Sequence, residues 1–311
     1  MARVVLCGMG AIGTEVLRYL VERGHTLVGV VDTDPEKVGR TVAEITGLPV
    51  GTRVSHSVEE LAEGTADVAV FATTSRLTGI ASDVMRAASL GMDVVATAEE
   101  MAFPESSDRE AAGRIDALAK EKDVTVVGVG VNPGFVMDWV PALVLSASKN
   151  PTKVHVVRSV DVSRRRRQLQ AKAGVGLTRA KFEKGVEEGS LGHVGLVESA
   201  SLIARSLGTT LEDTKQGVFP VLGSDEYVLG VRQFAEGTAG RCLIRLDLEM
   251  SVTSADFDVV EVKGDPDIKL RFEKGVFGDS ATVALVVHAV ERVAAARPGV
   301  VTVLDLPLAR P

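Results

Sequence analysis

Short apolar runs and amphipathic stretches alternate along the first 131 residues. Arg3–Cys7 is a β-branched apolar run that stops at Gly8. From Ala11 to Arg23, Ile12, Val16, Leu20 and Val21 recur at helical spacing, and the stretch ends at Gly24. Thr26–Val31, Asp67–Ala72, Asp93–Thr97 and Val124–Val129 are further short apolar runs, and Gly79–Ser89 and Ser107–Lys122 have helical spacing. Strands that alternate with helices predict βαβ units and a parallel sheet. The runs are almost continuously apolar, as strands buried on both faces require.

After Pro133 the pattern changes. Val154–Val162 and Arg241–Thr253 are longer and alternate with polar residues, which predicts a mixed or antiparallel sheet with one solvated face. Thr178–Glu188 and Leu196–Leu207 between them read as helices. A last apolar helix is expected over Ala281–Ala295, folding back onto the first domain. The expected architecture is α/β: a dinucleotide-type domain over residues 1–131 plus about 280–311, and a second α+β domain on a mixed sheet over 132–279.

Composition narrows the function. The 311 residues suffice for two domains. A net charge of −7 argues against general affinity for nucleic acid. Two cysteines, Cys7 and Cys242, make neither a disulfide framework nor a four-ligand zinc site. No apolar run reaches the length of a membrane helix. The chain enters a strand pattern at Arg3, so no signal peptide is expected and the reading is cytoplasmic. Glycine is abundant at 31 residues, whereas aromatics are only 4%, which predicts an aliphatic core.

Gly8-Met9-Gly10-Ala11-Ile12-Gly13 is a GxGxxG turn between a strand and a helix, and Asp32 closes the next strand 19 residues after Gly13. That context is the dinucleotide fingerprint of a doubly wound, Rossmann-type sheet. Gly8 is expected to make the turn, Gly10 to let the backbone approach a pyrophosphate, and Gly13 to let helix and strand pack closely. The pyrophosphate would meet the free N–H groups of the helix start, at Ala11 and Ile12. Asp32 suits a ribose 2′-hydroxyl and repels a 2′-phosphate, so NAD is expected over NADP; Lys37 and Arg40 lie near enough to keep NADP open.

Ligands of such sheets sit beyond the carboxyl ends of the strands. Those ends carry Thr73, Thr74 and Ser75, and then Thr97, Glu99 and Glu100. The hydroxyls suit the nicotinamide ribose, or serve only as a turn and cap. A carboxylate at Glu99 or Glu100 could hold an amine or relay protons; the competing reading is an acidic pair at a helix start. Asn132 offers an amide in a Gly/Pro turn, or marks an interdomain turn alone. His193, between Gly192 and Gly195, is presented rather than buried. Arg164–Arg167 reads as a solvated charge run, or as a source of one or two arginines that, with Arg158, reach a carboxylate. Motifs for serine hydrolases, phosphate loops, zinc proteases and CxxC chemistry are absent from the sequence.

With these motifs in this order, the chain resembles the 2,4-diaminopentanoate dehydrogenase and NAD(P)H-dependent amine dehydrogenase family, related to dihydrodipicolinate reductase and homoserine dehydrogenase. The carriers are Cys7–Gly13, Val30-Val31-Asp32, Ala98–Pro104, Gly130–Phe135, Arg164–Gln168, Lys172–Gly176, Gly192–Leu196, Pro298-Gly299 and Asp305-Leu306-Pro307. The resemblance implies hydride exchange between NAD(P) and a small amine or carbonyl substrate with ammonia, in a homodimer. It places the catalytic glutamate on Glu99 or Glu100, with Glu100 favoured. The homoserine dehydrogenase motif Thr-Pro-Asn-Lys-Lys-Ala-Phe, laid on Thr97–Phe103, puts its catalytic lysine on Glu100. The pocket histidine falls on His193, and Asn132, Phe135 and Val136 lie in the stretch that forms the pocket floor. The diaminopentanoate enzymes have an aromatic-rich segment where this chain has Val131–Val136. The paired-histidine motif of dihydrodipicolinate reductase is absent from the sequence. Two alternatives stand beside amine dehydrogenation: a homoserine-dehydrogenase-like reductase of C=O or C=N bonds, and an NAD(H)-binding sensor without turnover.

Overall fold

The apolar runs of the N-terminal segment become strands of one sheet. The computed structural model describes residues 1–224 and 226–307. In chain order the elements are β1 (Arg3–Cys7), α1 (Ala11–Glu22), β2 (Thr26–Val31), α2 (Val42–Thr46), β3 (Val54–Ser55), β4 (Val68–Phe71), α3 (Ala81–Ser89), β5 (Asp93–Ala96), α4 (Arg109–Glu121) and β6 (Thr125–Gly128). Then come α5 (Trp139–Leu145), β7 (Lys149–Asp161), α6 (Arg167–Lys172), α7 (Arg179–Glu187) and α8 (Leu196–Ser206). They are followed by β8 (Glu212–Leu222), β9 (Val228–Ala239), β10 (Cys242–Ser251), β11 (Phe257–Asp265), β12 (Ile268–Phe272), α9 (Gly278–Val290) and β13 (Gly299–Val301). None of the described helices is long and apolar enough to cross a membrane.

The chain divides into two compact units, Met1–Gly134 with Gly278–Pro311, and Phe135–Phe277. Residues 308–311, at the end of the segment expected over 280–311, lie outside the described residues.

The first unit is a Rossmann-like parallel sheet in the order β13-β6-β5-β4-β1-β2-β3. Val5, Phe71, Val94 and Val126 pack on one face with Ile80, Val84 and Ile115 of the α3–α4 side. Val4, Leu6, Val70 and Val95 pack on the other with Val16, Leu17 and Leu20 of α1 and Val286, Val287 and Val290 of α9. Burial on both faces explains the unbroken apolar runs. The last helix is shorter than its apolar pattern: α9 ends at Val290, and Val293–Ala295 forms a separate 3-10 turn.

The second unit is a mixed sheet in the order β12-β11-β7-β10-β9-β8, with β7 and β10 parallel and the other pairs antiparallel. Ile244, Leu246 and Leu248 of β10 are buried, while Arg245, Asp247 and Glu249 alternate to the partly exposed side. Helices α5 and α8 pack against the sheet's central strands. Strands β8 and β9 give no clean pattern in the sequence. β8 lies at the sheet edge, where Pro220 is tolerated because no inner ladder needs its missing N–H.

Candidate active site

The glycine turn between β1 and α1 has the shape a dinucleotide needs. Gly8 has φ +96°, and a Cβ there would lie 2.6 Å from the Ala72 carbonyl oxygen. A Cβ on Gly13 would lie 1.8 Å from the Gly8 carbonyl oxygen, so only glycine lets α1 start this close to β1. Gly10 faces open space, so backbone is accessible there. Helix α1 has no side-chain cap, Ala11 is exposed and Ile12 is half-buried. Its first N–H groups thus remain available to an anion.

Asp32 sits at the end of β2. Its Oδ2 accepts from the Met9 N–H at 2.7 Å and from Lys37 Nζ at 3.2 Å; its Oδ1 accepts from the Asp34 N–H at 2.9 Å. Burial pushes its pKa up, but donation from Asp34, Met9 and Lys37 outweighs that and holds the carboxyl below its ordinary value. Asp32 is therefore ionised at neutral pH. Lys37 also meets Asp34 at 3.2 Å, so its charge is shared between two carboxylates.

The carboxyl ends of β4 and β5 bring Thr73, Thr74, Ser75, Thr97, Glu99 and Glu100 to one edge of the sheet. Glu99–Ala102 forms a 3-10 turn directly after β5. It can lie across β6 because Gly128 has no side chain: a Cβ there would meet the Met101 backbone at 2.2 Å. Glu100 is buried, and both its oxygens are engaged. Oε1 accepts from Arg76 Nη1 at 2.8 Å, and Oε2 accepts from the Leu77 N–H at 2.7 Å. The Glu100 N–H donates to the Ser75 carbonyl at 3.2 Å. Glu99, next on the same turn, is half-buried. Each carboxylate oxygen has two lone-pair sites, so Glu100 retains capacity for a further donor. Arg76 and Leu77 were not legible as site residues, because 24 and 23 positions, respectively, separate them from Glu100.

In the second unit, Phe135 is half-buried against Trp139, with ring centroids 5.6 Å apart, and Val136 is fully buried. His193 is half-buried on a loop before α8. Gln233 of β9 accepts from the His193 N–H and donates to its carbonyl at 3.1 Å. This clamp joins residues 40 apart, which no local pattern announces. Of the arginine run, Arg164, Arg166 and Arg167 are exposed, whereas Arg165 is buried over Phe277 at 3.9 Å. Arg158 pairs with Asp258 at 2.6 Å, both buried.

A model of the 2,4-diaminopentanoate dehydrogenase C-terminal domain matches residues 135–311, more than half of the chain. The chain belongs to the 2,4-diaminopentanoate dehydrogenase family. Within it, the curated 2,4-diaminopentanoate dehydrogenase of Acetoanaerobium sticklandii is 29% identical, across 99% of this chain and 94% of its own. The solved amine dehydrogenase of Mycobacterium smegmatis is 25% identical and superposes with a TM-score of 0.90, covering 100% of this chain and 97% of its own. A TrkA-N domain model matches residues 4–119. Biliverdin reductase of Synechocystis, at 14% identity and a TM-score of 0.59 over 87% of this chain and 79% of its own, shares the fold.

Proposed function

We propose that this family member is an NAD(P)-dependent amine dehydrogenase that interconverts a primary amine with a ketone or aldehyde and ammonia. The observation that carries the reading is the Glu100 carboxylate. It stands at the carboxyl edge of the sheet that also holds the dinucleotide turn, oriented by Arg76 and the Leu77 N–H. A pre-oriented carboxylate can hold ammonium or a protonated amine, accept its proton, and offset the positive charge of an iminium carbon as it forms. The bound dinucleotide supplies or accepts the hydride. Glu100 fills the catalytic position, Arg76 positions it, and Glu99 is the second carboxylate of the same turn. His193, Phe135 and Val136 are assigned to the substrate. A homoserine-dehydrogenase-like carbonyl reductase ranks lower, because the position of its lysine holds a glutamate. The test is ammonia-dependent oxidation of NADH with small carbonyl compounds.

NAD is the proposed cofactor in preference to NADP. Asp32 is ionised at the ribose position, and Lys37, the nearest cation to it, is already bound by Asp32 and Asp34. On this reading the unit of Met1–Gly134 and Gly278–Pro311 binds the dinucleotide, and the unit of Phe135–Phe277 supplies the substrate and dimer surfaces. A cytoplasmic setting fits the two buried, unpaired cysteines.

The enzyme is further proposed to be a homodimer that pairs through the partly exposed face of the second sheet. There Phe219 stacks on Phe234 with centroids 6.2 Å apart, Arg245 lies over Phe234 at 3.9 Å, and Arg232 meets Glu249 at 2.6 Å. His155 meets Asp247 at 2.8 Å on the same face. A two-fold interface brings one patch against its own copy, and aromatic residues with arginines are the types enriched in such interfaces. Sedimentation velocity at micromolar concentration is expected to give a dimer; a monomer throughout contradicts it.

A further inference from the structure

We propose that the side-chain amide of Asn132 binds the carboxamide of the nicotinamide ring. The inference rests on the dinucleotide reading above and adds to it a residue that orients the reactive ring.

Asn132 is 8% exposed, and its Oδ1 is buried with no hydrogen-bond partner among the described residues. Native structures leave few buried polar atoms unsatisfied, so such an atom calls for an explanation. The loop around it is held in place. The Val131 N–H donates to Thr282 Oγ1 at 3.3 Å. Gly134, at φ +120°, closes against Gly130, where a Cβ would stand 2.5 Å from the Gly130 nitrogen and oxygen. An anchored loop that leaves an amide oxygen unsatisfied is organised for a donor that arrives with a ligand.

The place of the loop selects the ligand. Strand order reverses at β1: β2 and Asp32 lie on one side, and β4, β5 and β6 on the other. A dinucleotide spans such a switch point, with one nucleotide on each half of the sheet. Asp32 takes the adenosine half, which leaves the nicotinamide half to the ends of β4–β6, and Asn132 follows β6 by four residues. An Oδ1 acceptor excludes a carboxylate or phosphate as partner and requires an N–H or O–H donor. A primary carboxamide offers both N–H and C=O, so it matches an asparagine amide in both directions. Ammonia or a substrate amine shares the N–H, and the experiment separates the two sources.

The test is displacement of NADH fluorescence from the full chain by NAD⁺ and by its 3-acetylpyridine analogue, in which a methyl replaces the amide NH2. The wild type is expected to bind NAD⁺ about five- to tenfold tighter than the analogue, the usual worth of one neutral hydrogen bond. Asn132→Leu and Asn132→Ser are expected to bind the two within about twofold of each other. A wild-type ratio near one overturns the proposal without reliance on any variant. Variants that keep the wild-type ratio also overturn it; if they raise the KM for ammonia instead, the amide serves the amine. Absence of saturable NADH binding by the wild type is a different result, which removes the dinucleotide reading itself.

Discussion

Glu100→Gln is expected to lower kcat for reductive amination by about 10²- to 10⁴-fold, the usual contribution of a positioned acid–base group. The substitution keeps the side chain's size and leaves an oxygen to accept from Leu77, but it removes the charge proposed to hold ammonium and the iminium. Its cost to folding should be small. Arg76 is 48% exposed, and the ion pair it makes with Glu100 is correspondingly screened, so the loss is about 1 kcal/mol or less. Turnover and stability therefore separate, which a purely structural glutamate would not allow. Steady-state kinetics and thermal unfolding of Glu100→Gln and Glu99→Gln, measured together, check this. If Glu99→Gln alone abolishes turnover, the catalytic role passes to the neighbouring carboxylate. Activity intact in both variants contradicts the mechanism.

The second large effect is expected at Asp32. Asp32→Ser is expected to shift the NADH-to-NADPH ratio of kcat/KM toward NADPH by on the order of 100-fold. Two contributions act in the same direction. Loss of the carboxylate weakens the bond to a ribose 2′-hydroxyl and removes repulsion of a 2′-phosphate. It also leaves Lys37 with one carboxylate partner, Asp34 at 3.2 Å, in place of two, so more of its charge is available to that phosphate. Serine retains an oxygen for the Met9 N–H, so the glycine turn keeps one of its supports. Kinetics with both coenzymes decide the point. An unchanged ratio, or an NADPH preference already in the wild type, contradicts the role given to Asp32.

The parallel sheet was legible because its strands are buried on both faces, which forces continuous apolar runs, and because glycines stop them where turns must form. The fingerprint was legible for a similar reason: the close approach of Gly13 to Gly8 admits one residue type. Strands β8 and β9 were not. Most of β8 is exposed at a sheet edge, where neither burial nor an inner ladder imposes a period on the sequence. The candidate site was legible only in its position along the chain. Glu100 and Asn132 follow predicted strands, so their place at a sheet edge could be read. What orients them could not, because Arg76, Thr282 and, for His193, Gln233 come from distant parts of the chain through tertiary contacts alone.

The proposed reaction forms or breaks a carbon–nitrogen bond. The most direct measurement is NADH oxidation by the purified chain over a panel of small ketones and aldehydes, with and without ammonium, and with ¹⁵N-ammonium to trace the product. Oxidation is expected only when carbonyl and ammonium are both present, with ¹⁵N recovered in a primary amine. Oxidation with the carbonyl alone, or saturable NADH binding without oxidation across the panel, would contradict it.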